Sequence, residues 1–282
     1  MSVSAAERRF ILNQLLRLAE SDIRRMWIAA ERQSDMEFAE YVAKAYPQIV
    51  DPYHQMAAQS AATIFESDFP DIVEPAIVAR PLPEQKLLGS VEWALAANGK
   101  EAIDRMIGTA QRAIYDGDRD TTVGNATKQR MRWVRVARPN ACAFCRLLAS
   151  RTASNNTYLS DGIAIDEKTG EYTTVVTGRA LSSSMPGYQK ERKTPALDVR
   201  RDIRSGQTRG TRAMGSKYHD HCYCTARVIP AGVSAMTYLE QTEPQFADLA
   251  QQWDDEYQKA RANAGSGDPK KILSAWRTQG AS

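Results

Sequence analysis

Pro139-Asn140-Ala141-Cys142-Ala143-Phe144-Cys145 and Tyr218-His219-Asp220-His221-Cys222-Tyr223-Cys224 hold all four cysteines and two of the three histidines of this 282-residue chain. Residues 146–217 between them contain neither Cys nor His. Scattered structural cysteines would not fall this way. A shared tetrahedral metal site would, because zinc needs four soft or borderline ligands at one point. A C-x-x-C offers two thiolates from one tight turn. A C-x-C in extended chain offers two on one face, since strand side chains alternate with period two. The reading is a structural Zn2+ with Cys142 and Cys145 as the first pair of ligands. Two more come from among His219, Cys222 and Cys224. His221 reads as a neighbour of the site, and the lone His54 as structural or exposed. Clustered cysteines in a chain with no apolar leader favour metal over disulfides.

Enough ligands are present to close the shell, which argues against a catalytic zinc with an open position. There is no H-E-x-x-H. A nucleobase deaminase needs H-x-E upstream of P-C-x-x-C. The sole upstream histidine here is followed by Gln55-Met56, and Pro139 does not abut Cys142. The 76 residues from 146 to 221 are far more than the spacing inside a C2H2 finger allows. No P-loop, G-x-G-x-x-G or G-x-S-x-G occurs. The expectation is a protein without catalytic residues.

Outward from the cysteines, charge is segregated. Residues 1–120 carry 13 Lys/Arg against 19 Asp/Glu, residues 121–230 carry 19 against 8, and residues 231–282 carry 5 against 7. The cysteine region is thus a basic module between acidic segments. Residues 190–217 hold nine of its cations, and Arg200, Arg201, Arg204, Arg209 and Arg212 lie in a Gly/Ser-rich stretch, 178–217, that reads as a loop. Such a loop suits phosphate contact without base readout. It equally suits docking on an acidic protein surface, the chain's own N-terminal helices included.

The first 115 residues read as about five helices. Apolar residues recur at helical spacing over 5–33, through Leu12, Leu16, Ala19, Ile23, Met26, Trp27 and Ala30. Ser4 with Glu7 three residues on is a capping-box pattern. Further helices are expected over 35–49, 53–66, 84–97 and 100–115, with Pro52 separating the second from the third and a proline-rich connector at 69–85. Polar residues 116–130 read as a linker. Strands follow at 133–137, 158–159, 163–165, 172–176 and 225–229, with a knuckle at Cys142–Cys145 leading into a short helix over 146–150. The tail reads as helices near 243–262 and 272–276. The fold class is α+β. It comprises a helical domain (1–115), a zinc-stapled α+β domain (131–230) and a helical tail (231–282). No run approaches the ~18 apolar residues of a membrane span.

Trp133-x-Arg135, Ala141-Cys142-x-Phe144-Cys145-x-Leu147-x-Ala149-Ser150-Arg151 and His219-x-x-Cys222-x-Cys224 together resemble the C-terminal part of tailed-phage MuF-like minor head proteins, especially their actinobacteriophage relatives. The resemblance covers about residues 130–230. It implies a minor capsid protein in few copies inside the virion head, near the portal and acting in head morphogenesis or DNA delivery. It would be made in the host cytoplasm during assembly. The implied partners are the portal, the major capsid protein, or packaged DNA held without sequence preference, with residues 1–115 as the docking unit. Some relatives are labelled capsid maturation proteases. A zinc-containing nucleic-acid-binding protein outside the virion is the other alternative.

Overall fold

The computed structural model describes residues 3–97, 99–153, 156–160, 163–166, 172–174, 180–181, 222–265 and 269–279. Contacts divide the chain into two compact units. One takes in residues 1–125 and 218–225, the other 126–217 and 226–282.

The helical unit is built from α1 (Ala5–Ala30), α2 (Asp35–Asp68), α3 (Glu84–Leu95) and α4 (Gly99–Lys128). Ser4 caps α1 as its sequence suggests: its hydroxyl accepts from Glu7 N at 3.2 Å, and its own N–H donates to the Glu7 carboxylate at 2.8 Å. Ile23, Met26, Trp27 and Ala30 of α1 pack with Val42, Tyr46 and Val50 of α2, Leu87, Val91 and Ala94 of α3, and Ala102, Met106 and Ala110 of α4. Leu12, Leu15 and Ala19 form a second cluster with Ala57, Ile114 and Tyr115. The apolar stripe of α1 is therefore core. The large apolar side chains that α1 exposes are Phe10, Leu18 and Ile28.

Two expectations are corrected. The expected break at Pro52 does not occur, because α2 runs through both Pro47 and Pro52. Each proline removes one N–H and costs the carbonyl four residues earlier its helical donor. Burial of Val42, Tyr46, Val50, Ala57, Ala58 and Ala61 on both sides of the prolines outweighs that loss. Nor is 116–128 a linker: α4 continues to Lys128. Its polar residues are buried. Asp116, Asp118, Arg119, Thr121, Thr122 and Asn125 are each at most 2% exposed.

Thr121 and Asn125 also hold the proline-rich segment after α2. Asn125 Oδ1 accepts from Ile77 N at 2.8 Å, and Thr121 Oγ1 accepts from Ala79 N at 2.9 Å. His54 is buried, its Nδ1 2.8 Å from Ala113 O and its Nε2 3.1 Å from Arg80 O. At this crossing only glycine fits position 117, where a Cβ would lie 2.4 Å from His54 O. Gly117→Ala ordinarily gains helix propensity. Here the backbone contact reverses the sign. Chemical denaturation should show a loss of about 1–3 kcal/mol, the cost of overpacking. A variant as stable as the parent would refute this close approach.

The second unit holds a sheet in the order β5-β4-β3-β2-β1-β6. Its strands are β1 (Arg132–Val136), β2 (Asn156–Ser160), β3 (Ile163–Asp166), β4 (Tyr172–Thr174), β5 (Ala180–Leu181) and β6 (Thr225–Ile229). The pairs from β1 to β5 are antiparallel. Trp133 and Tyr158 are register partners whose buried rings stack at 4.4 Å. Helix α5 (Ala143–Ser150) packs on β1 and on α7 (Pro244–Ala264) and α8 (Pro269–Gln279). Helix α6 (Ala235–Thr242), absent from the sequence reading, precedes α7 and is capped by Ser234, whose side chain accepts from Thr237 N. No helix among the described residues is long and apolar enough to cross a membrane.

Candidate metal centre

Strand β1 ends at Val136, and the chain turns through Pro139 into α5. Cys142 is the N-cap residue of that helix and Cys145 lies in its first turn. The expected knuckle is thus a helix start. Cys142 is exposed, Cys145 buried. Just before β6, Cys222 and Cys224 are buried too, at 2% and 1% exposure.

The sulphurs of Cys145, Cys222 and Cys224 all lie within 4.8 Å of one another. Ligands ~2.3 Å from a tetrahedral zinc stand roughly 3.8 Å apart. The three thiols therefore fit a thiolate-bound metal ion after a contraction of no more than about 1 Å. All four cysteines are unbridged, so the local-disulfide alternative is not what the structure adopts. Cys142 does not belong to the three-thiol group. It opens instead on a cavity of about 720 Å³ lined by Arg146, Glu256, Lys259 and Trp276 among others. His219 and His221 lie outside the described residues, as do Arg200, Arg201, Arg204, Arg209 and Arg212.

The Cys222–Cys224 segment is held by α4. Arg119 Nε donates to Cys224 O at 2.8 Å, and its NH2 donates to Cys222 O at 2.7 Å. Gln111 Nε2 also donates to Cys222 O, at 3.1 Å. The Arg119 guanidinium lies 5.0 Å from the centre of the Tyr115 ring, which meets Tyr223 edge-on. Burial pushes the Tyr115 phenol well above its ordinary range, so the ring stays neutral beneath the cation. Asp116 lies 3.6 Å from Arg119 and 3.4 Å from Lys86.

Arg119, Gln111 and Tyr115 were not among the residues read from sequence as belonging to the site. One signal for them exists. Gln111, Tyr115, Arg119, Thr122 and Ala126 recur at spacings of four, four, three and four, which carries one helical face through the polar stretch.

A family model described as VG15 protein matches residues 2–168, more than half of the chain. The chain belongs to the VG15 family. That is a family of viral, phage-type gene products. The match covers helices α1 to α4, strand β1 and helix α5 with Cys142 and Cys145, and it ends before Cys222 and Cys224. No curated protein and no solved structure matches the chain.

Proposed function

We propose that this phage-family protein is a non-catalytic minor head protein, its cysteine cluster closed around a structural Zn2+, placed inside the capsid near the portal. The observation that carries the reading is the convergence of Cys145 with Cys222 and Cys224 across a long stretch of chain. It matches the paired C-x-x-C and H-x-x-C-x-C elements of MuF-like proteins, and the VG15 match adds a phage setting. Buried thiols of this kind suit a soft or borderline ion held for structure. Cys145, Cys222 and Cys224 would hold it, with Cys142 or His219 as the fourth ligand. Mass spectrometry of purified particles, set beside the infected-cell lysate, tests the placement. A few copies per particle are expected. A chain abundant in the lysate and missing from particles would overturn it.

The basic middle serves charge in this reading. Binding of the full chain to duplex DNA should be independent of sequence and fall steeply with salt. Replacing Arg200, Arg201, Arg204, Arg209 and Arg212 together with Ser should weaken binding at least tenfold at low salt and flatten the salt slope. An affinity indifferent to salt and to these five replacements would remove DNA from the list of partners.

A further inference from the structure

We propose that Arg119 is a positioning residue for the thiol cluster, setting the aim of two of its sulphurs and offsetting the charge of the metal–thiolate group. This rests on the metal reading above. A guanidinium only 1% exposed is costly to bury unless its donors and charge are used. Two of its donors go to one short segment, at 2.8 Å on Cys224 O and 2.7 Å on Cys222 O.

The Cys222 and Cys224 carbonyls face one guanidinium, the arrangement of residues i and i+2 in extended chain, whose side chains also share a face. A planar fork that grips both carbonyls therefore fixes the rotation of the segment about its own axis. The same rotation decides where both sulphurs point. Gln111 adds a second donor to Cys222 O, and Tyr115 supports the guanidinium from below. The whole grip comes from three successive turns of α4, at Gln111, Tyr115 and Arg119, so the pair of ligands is mounted on a rigid element.

The charge has a use as well. A divalent ion with three thiolates carries a net charge of about −1, and with four about −2. Asp116 has two cations beside it, Arg119 at 3.6 Å and Lys86 at 3.4 Å. A cation this close to the ligand backbone makes the anionic complex less costly to bury. Lysine cannot substitute fully, because an ammonium is a point charge and cannot grip two carbonyls with one planar fork.

The test uses the full chain, purified under reducing conditions, with Co2+ and Zn2+ as probes. Bound Co2+ reports thiolate ligation by charge-transfer absorption and tetrahedral geometry by its visible bands. Wild type should bind one Co2+ displaced by one Zn2+. Arg119→Met should lower affinity about 10–100-fold, the usual effect of losing a ligand's supporting partner. It should also weaken the tetrahedral bands at saturation. Arg119→Lys should recover part of the affinity and less of the band intensity. A folded Arg119→Met with wild-type affinity and spectrum overturns the role of Arg119 and leaves the metal reading standing. A wild-type chain that binds neither ion overturns both. Should Arg119→Met fail to fold, Gln111→Leu decides, since it removes one of the three donors and keeps the cation. Weaker Co2+ binding by that variant supports the grip, and unchanged binding refutes it.

Discussion

Chelation of the metal from the purified chain is expected to lower its melting temperature by at least about 10 °C. A structural zinc contributes apparent binding energies of ~10–16 kcal/mol in small zinc modules, comparable with the whole net stability of a domain. Here the benefit is shared with the energy of holding three buried thiols together, so a fraction of that figure suffices. A loss of ~5 kcal/mol shifts the melt of a chain this long by roughly 10–20 °C. Cys145→Ser should reproduce the effect, because Cys145 is the member of the group that α5 supplies. Cys222 and Cys224 are bonded through their carbonyls to Arg119 and Gln111 of α4, so amide protection near Tyr115 should fall. Hydrogen exchange measures this directly. Cys142→Ser and His219→Ala then separate the two candidates for the fourth ligand: the replacement that takes zinc below one per chain identifies it. A metal-free protein that melts with the wild type would reject a structural metal.

Some of this was legible in the sequence and some was not, for physical reasons that differ by element. The convergence of Cys145, Cys222 and Cys224 could be read because thiols are rare and their spacing is a chemical signature. Strand β6 could be read to the residue, since Thr225–Ile229 is short, rich in β-branched side chains and closed by Pro230. Cys142 could not be separated from Cys145, because spacing alone does not show that one is an exposed N-cap and the other a buried first-turn residue. Pro52 signalled a break in α2 that tertiary burial overrode. The largest misreading was 116–128. Its composition is that of a linker, but its partners lie far away in sequence. Arg8 is 110 positions from Asp118, and the carbonyls of Cys222 and Cys224 are more than 100 from Arg119. Polarity in a sequence window says that groups need hydrogen-bond partners. It does not say whether water or distant chain supplies them.

Asp118 makes that distinction measurable. Its Oδ1 accepts from Arg8 Nε at 3.1 Å and from NH2 at 2.7 Å, with both side chains 4% exposed or less. Thr122 Oγ1 accepts from the same guanidinium. The pair joins the first turn of α1 to the middle of α4. In a solvated linker such a pair would be worth under ~1 kcal/mol. Buried, its loss takes from the Arg8 guanidinium the carboxylate that two of its nitrogens reach, which costs about 3–5 kcal/mol. Asp118→Ala should therefore destabilise the helical unit by that amount in urea unfolding. The double replacement Arg8→Met with Asp118→Leu should recover most of the loss, because no buried charge is then left over. Recovery is favoured further by Asp118 Oδ2, a buried oxygen with no hydrogen-bond partner among the described residues, which the leucine eliminates. The single and double variants form a cycle whose coupling energy is the signature of direct contact. An Asp118→Ala cost below about 1 kcal/mol, with no coupling to Arg8, would mean that this part of α4 is solvated in solution.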